Sequence, residues 1–315
     1  MALPSTLEHD ALTRAVVIAE ALCALPAVAT LDWCDQAATA LAPTFDPSVA
    51  LVVVANLDPR GQILSVEAAG VAEHGKQPEA PASESRIATP NDPESRVRRL
   101  RSRAERASEL GVVIGEAGLA RGAFTTAARA TPGDWRGTSI GRLWNGIPAE
   151  DVVIAVLPLN PQKPGRSLIL EVASTGRSPA GSSTASDVGM SVLRAAAPLL
   201  LRRARIAIPD VDGQGAQWLT TREQQVLEEL TLGKSVRQIA DELERSPHTV
   251  HDHVKSLHRK LAASSRGELI SRALGHLDKT DRPARQVEVK PTARATTVSL
   301  DDSPKLRMVR DEDAD

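Results

Sequence analysis

Tyrosine is absent from this 315-residue chain, phenylalanine and cysteine occur twice each, and tryptophan four times. Aliphatic and alanine side chains must therefore fill the interior, and the residues that build aromatic ligand cages or base-stacking platforms are nearly missing. Cys23 and Cys34 are too few for a disulfide framework or a zinc site, so two thiols in a reducing compartment are expected. Long apolar runs are lacking too. No window reaches the roughly 18 uncharged apolar residues of a membrane span, and Met1–Glu20 has no basic start followed by an apolar stretch, so no secretory signal is expected. A soluble, cytoplasmic protein follows. Charge of one sign is also missing: the net is −2, so any nucleic-acid binding has to come from a local arrangement of charge.

What is present reads as two domains. The hydrophobic share of 42% and charged share of 25% are ordinary for globular chains and allow a core. Leu12–Leu25 has helical spacing and stops at Pro26. Val49–Leu57 and Ile63–Val71, joined by Asp58-Pro59-Arg60-Gly61, read as a β-hairpin. Residues 74–93 are rich in Pro, Glu, Ser and Ala without periodicity and read as a disordered insert. Glu94–Leu110 reads as a helix with six arginines between Arg96 and Arg106. A solvated face paired with nearby Glu explains them, and docking of nucleic acid or an acidic partner stays open. A loop is expected around Trp135–Trp144, whose two tryptophans pack the core or line a pocket. Strands at Asp151–Leu159 and Ser167–Ser174 and a helix at Ala185–Ile206, interrupted or kinked at Pro198, complete an α+β domain over residues 1–208. Residues 209–215 read as a linker, and 277–315 as a disordered charged tail.

Residues 216–276 are more specific. Thr220 with Glu223 makes a capping box for a helix through Val226, Leu227 and Leu230, closed by Gly233. Ser235 with Gln238 opens a second helix, through Ile239, Ala240 and Leu243. Ser246 caps a third, with Pro247 at its first position. Ser265 with Glu268 opens a fourth, ended by Gly275. In the third helix Val250, Val254, Leu257 and Leu261 recur at i, i+4, i+7 and i+11, a single core-facing stripe. His248, His251, Asp252, Lys255, Arg259 and Lys260 then face outward or flank it. From Arg245 to Arg272 six Lys/Arg oppose two acids, the one-sided charge of a helix entering the major groove while its neighbours hold phosphates.

This stretch resembles the LuxR (GerE-type) helix-turn-helix family. The resemblance rests on Leu219-Thr220-Thr221-Arg222-Glu223-Gln224-Gln225-Val226-Leu227, then Gly233, Ile239-Ala240, Leu243, Ser246, Thr249-Val250, His253, Lys260-Leu261 and Arg266-Gly267-Glu268-Leu269-Ile270. It implies a tetrahelical all-α domain whose third helix reads the major groove as part of a dimer on a two-fold site. His248, Thr249, His251, Asp252, His253, Lys255, Arg259, Lys260, Arg266 and Lys234 are the expected DNA-binding set. Two positions depart from the family pattern: His251 where Lys is frequent, and Asp252 where a small or apolar residue is. A carboxylate in the groove can accept from a cytosine amine, and Lys255 can donate to a guanine. The alternative is that Asp252 sets helix charge or pairs with an Arg.

The N-terminal element order resembles a GAF-like (or PAS-like) sensory domain, which implies control by an unidentified small molecule and dimerisation through terminal helices. The lactone pocket of some LuxR-type regulators uses Trp and Tyr with an Asp, and a chain without Tyr argues against that ligand. Other chemistries fail on spacing. Gly233-Lys234-Ser235 lacks the upstream Gly of a phosphate-binding loop, since Glu228 stands there. Asp58 lacks the acidic pair and Lys of a phosphoacceptor site. His248, His251, His253 and His258 lie around a helix rather than on one face, so no metal is expected. No cofactor and no catalytic activity are expected. RNA polymerase is a candidate partner of such a regulator. The rival readings are a sigma-factor-like promoter recogniser and a protein-interaction module that has lost DNA affinity.

Overall fold

In the computed structural model the described residues are 6–75, 93–114, 124–131, 133–160, 165–176, 182–208 and 217–276, all within one compact unit, Met1–Asp281. The expected insert falls largely, and the expected linker and tail wholly, outside the described residues.

Strand β1 (Ser48–Leu57) sets the layout of the N-terminal domain, because its first eight residues are all buried. Successive side chains of a strand point to opposite faces, so a run like this needs cover on both sides. Strands β2 (Ile63–His74), β3 (Phe124–Thr126), β4 (Val152–Pro158) and β5 (Arg166–Ser174) join it in an antiparallel sheet of order β2-β1-β5-β4-β3. Ala50, Val52 and Val54 enter one core, beneath α1 (Thr6–Cys23), α2 (Trp33–Leu41) and α6 (Ser182–Ala207). Val49, Leu51, Val53 and Ala55 enter a second, beneath α3 (Pro93–Glu105), α5 (Ser139–Leu143) and two tryptophans, Trp135 and Trp144. The hairpin turn forms as expected. Asp58 Oδ1 accepts from the amides of Arg60 and Gln62, both at 2.8 Å, and Gly61 supplies a φ of 81°.

Four readings need correction. Helix α2 has no side-chain cap hydrogen bond, and without that local signal it escaped notice. Its start lies against β2 so closely that a Cβ at Gly70 would fall 2.1 Å from the Cys34 carbonyl carbon. The expected loop at Trp135–Trp144 contains a 3-10 turn and α5, capped by Asp134 and Thr138, and both tryptophans are buried in the second core. Helix α6 is not interrupted, but continues through Pro198. Proline removes only one donor, and packing of the helix on the first core offsets that loss. Helix α3 stops at Glu105, and the chain leaves it through turns that end at Gly111, with φ 61°.

Arginines of α3 brace the domain. Arg101 bonds Asp35 and the Ala69 carbonyl, and Asp35 in turn accepts from the Val71 amide, so the outer edge of β2 is occupied. Arg103 bonds the carbonyls of Leu143 and Asn145, and Arg96 lies 3.8 Å from Glu73. Inside the second core stands one carboxyl, Glu171 on β5. Burial pushes its pKa up to about 7, opposed only by the indole N–H of Trp144, which donates to it.

The C-terminal domain is all-α: α7 (Thr221–Thr231), α8 (Val236–Glu242), α9 (Pro247–Lys260) and α10 (Arg266–Ala273). Its core is Leu219, Val226, Leu227, Leu230, Ile239, Ala240, Val250, Leu257, Leu261, Ala263 and Leu269, with Val28 added from the N-terminal region. A short helix, α4 (Ala127–Ala130), follows β3 directly, with Thr126 as its cap.

Candidate nucleic-acid interface

The helix ends of the C-terminal domain are set by the caps read from sequence. Thr220 with Glu223 and Ser235 with Gln238 form complete capping boxes. Ser246 accepts from the Thr249 amide with Pro247 at the first position. Ser265 caps α10, but Glu268 turns to Ser264 rather than closing a reciprocal box. Between α8 and α9 the chain turns at Glu244, a non-glycine residue with φ 51°, and this tight corner orients the two helices.

Helix α9 divides cleanly. Val250, Leu257 and Leu261 are buried, with Val254 half-buried beside them. On the other side His248, Asp252, Lys255 and Arg259 recur at i, i+4, i+7 and i+11 and are exposed, with His251 flanking them. They form one ridge along the helix. His248 is 87% and Asp252 63% exposed at the side chain, and His248 Nε2 lies 3.7 Å from Asp252 Oδ2. Thr249 and His253 are half-buried at the edge of the ridge, and the Thr249 hydroxyl is engaged by that of Ser246 at 2.8 Å.

Three expected cations are used inside the domain. Lys260 Nζ donates to Glu223 at 2.7 Å and to the Trp218 carbonyl at 2.8 Å. Lys234 bonds Glu242 at 2.6 Å and also Glu229. Arg266 donates to the Lys234 carbonyl at 2.6 Å and to that of Leu230 at 3.3 Å. Arg272, counted in the local positive charge, is buried against Glu268 at 2.7 Å. Sequence charge therefore overstates the cations that face outward. Sequence reasoning did not single out Arg237 on α8 or Arg245 just before the α9 cap, and both are exposed. The signal was available for Arg245, which adjoins the N-terminus of the outward-facing helix.

Glu223 is the other residue overlooked as a centre. Its carboxylate accepts from the Thr220 amide, the Ser256 hydroxyl and Lys260, each at 2.7 Å, so it ties the start of α7 to α9. Burial alone would raise its pKa, but the bonds from Lys260, Ser256 and Thr220 outweigh that and hold it at about 2. The histidines do not converge. His258 Nδ1 lies 2.9 Å from the Ala263 carbonyl, which can only accept, so that nitrogen carries a proton and closes the turn after α9.

The family model for bacterial regulatory proteins of the luxR family matches residues 217–273. The C-terminal domain is a LuxR-family domain. The transcriptional regulatory protein UhpA of Escherichia coli strain K12 is 50% identical over 54 residues, 17% of this chain, and UhpA of Salmonella typhimurium is similar to the same extent. The match spans 28% of the length of these curated relatives. Among solved structures, Escherichia coli SdiA is 17% identical, with a TM-score of 0.27 over 72% of this chain and 82% of its own. SdiA in complex with octanoyl-rac-glycerol is 16% identical, with a TM-score of 0.31 over 87% of this chain and 96% of its own.

Proposed function

We infer that this protein is a cytoplasmic, sequence-specific DNA-binding transcriptional regulator that acts as a homodimer under control of a GAF-like N-terminal domain. The observation that carries the reading is the exposed ridge of His248, Asp252, Lys255 and Arg259 on α9, within a LuxR-family domain. An α-helix fits the major groove, where Lys255 donates to a guanine and Asp252 accepts from a cytosine amine. His251, Thr249 and His253 border that contact. Arg245, Arg237 and Arg259 contact phosphates on either side, and Lys234, Lys260 and Arg266 hold the helices that present the ridge.

The antiparallel sheet with helices on both faces supports the sensory reading of the N-terminal domain, and RNA polymerase is the partner through which such a regulator acts. No described helix is long and apolar enough to cross a membrane. The test is titration of duplex DNA at several salt concentrations. Affinity should fall steeply with salt, and the slope should flatten by about one unit for each phosphate-contacting arginine removed. Binding that ignores salt would favour the protein-interaction reading, for which exposed Asp252 is the observation in hand.

A further inference from the structure

The two domains meet at a small surface with an unusual concentration of unsatisfied polar atoms. Its floor is the turn Pro26–Thr30, between α1 and α2. Trp33 Nε1 donates to the Pro26 carbonyl at 3.1 Å, and Arg203 Nη2, from α6, donates to those of Leu25 at 2.6 Å and of Cys23. The turn is thus pinned by the first core. From the other side, the Leu219 amide donates to the Ala29 carbonyl at 2.8 Å, and Thr30 and Leu219 form a parallel bridge. Val28 belongs to the C-terminal core, while Trp218 packs against the N-terminal one. Gly275, after α10, lies so close that a Cβ there would fall 2.9 Å from Ala27 Cβ and 3.7 Å from Arg203 Nη1.

Thr30 Oγ1, Trp218 Nε1 and Arg203 Nε are buried here without hydrogen-bond partners. Each would regain water if the surfaces parted, which lowers the cost of opening this contact. The ridge of α9 stays exposed while the contact is made.

We propose that Pro26–Thr30 is a reversible docking seat that holds the DNA-binding domain in a fixed orientation with its reading ridge open, so that the N-terminal domain controls the placement of the ridge and does not mask it. This rests on the reading of residues 217–276 as DNA-binding. The seat also gives α6 a route to the DNA-binding domain, because Arg203 bonds the Leu25 carbonyl beside the turn and stands 3.7 Å from where a Cβ on Gly275 would lie.

Amide hydrogen exchange at Leu219 in the full chain tests it, with duplex affinity measured on the same variants. In the unaltered chain the Leu219 amide should exchange more slowly than an unstructured peptide but faster than that of Leu257 in the core of α9. Gly275→Ala should speed Leu219 exchange about tenfold by driving a methyl into Ala27. Gly233→Ala, which carries the same left-handed strain with nothing within 4 Å, should not. Arg203→Gln should also speed it, whereas Trp218→Phe, which removes an unpartnered N–H, should slow it. Affinity for a duplex with a single half-site should stay within about threefold throughout, since undocking unmasks nothing, while affinity for a two-fold site, which needs both ridges placed, should fall.

Leu219 exchange at the unstructured rate in the unaltered chain would overturn the seat. Equal effects of Gly275→Ala and Gly233→Ala would do the same, by assigning the change to cap strain. A tenfold rise in affinity on undocking would show masking and overturn the open ridge. If the exchange pattern holds but no variant binds duplex, the seat stands and the DNA-binding reading falls.

Discussion

The two domains are stabilised by different means. The N-terminal domain surrounds one largely apolar strand with a core on each face, and among the described residues the second core admits a single carboxyl, Glu171, with one indole as its partner. The C-terminal domain has a core of only twelve buried apolar residues, one of them borrowed, and fastens its helices with carboxylates that each accept several hydrogen bonds. A domain of about 60 residues buries a smaller fraction of its surface than one about three times its length. Polar staples make up the difference. Local unfolding should therefore respond to charge in the small domain and to side-chain volume in the large one.

The strongest way to break that contrast is Glu223→Ala, which strands Lys260 beside the Trp218 carbonyl. Losing one partner of a buried pair costs about 3–5 kcal/mol, so hydrogen exchange of α7 and α9 should rise by orders of magnitude while β1 stays protected. A cost as small as that of a surface pair would equate the two domains. Leu170→Ala, in the first core of the sheet domain, should cost about 2–5 kcal/mol in urea unfolding, with the loss confined to the N-terminal domain.

The pH responses should have opposite signs. Glu223 and Glu268 are held at about 2, Glu268 by bonds from Ser264 and Arg272. A depressed folded pKa gives stability that is present above the unfolded value near 4.5 and is lost as pH falls toward 2. Glu171 is raised to about 7, so the N-terminal domain is most stable below 4.5 and loses stability as pH climbs to 7. Glu171→Gln should abolish that loss, a gain on the order of 3 kcal/mol at pH 8 at most. Unfolding midpoints of the two proteins across pH 4–8 check this, and parallel curves would contradict it. The smallest effect is Ser246→Ala, where loss of the α9 cap should cost about 1 kcal/mol in thermal unfolding.

The same contrast separates what is legible in the sequence from what only packing creates. Thr220, Ser235, Ser246 and Ser265 write the helix starts of the C-terminal domain in residues that touch their own neighbours in sequence, so four helices were legible. Strand β1 was legible from its unbroken apolar run, and the hairpin turn from Asp58 and Gly61. Helix α2 was not, because its support comes from β2, more than 30 residues away, and not from a cap. The inward turn of Lys260 and Lys234 was hidden for a similar reason. Lys260 meets Glu223 across 37 positions, and only packing brings them together. The outward ridge of α9 follows from helix periodicity alone, and so the candidate bases-reading residues were legible while the roles of the surrounding cations were not.

The central claim is most directly tested by selecting bound sequences from a random duplex pool with the full chain and with Lys255→Ala, at about 0.15 M salt. The full chain should recover a two-fold symmetric site, and Lys255→Ala should relax the choice at specific positions, each by about 1–3 kcal/mol of discrimination. Recovery of no sequence preference by the full chain would contradict the claim that the ridge of α9 reads DNA.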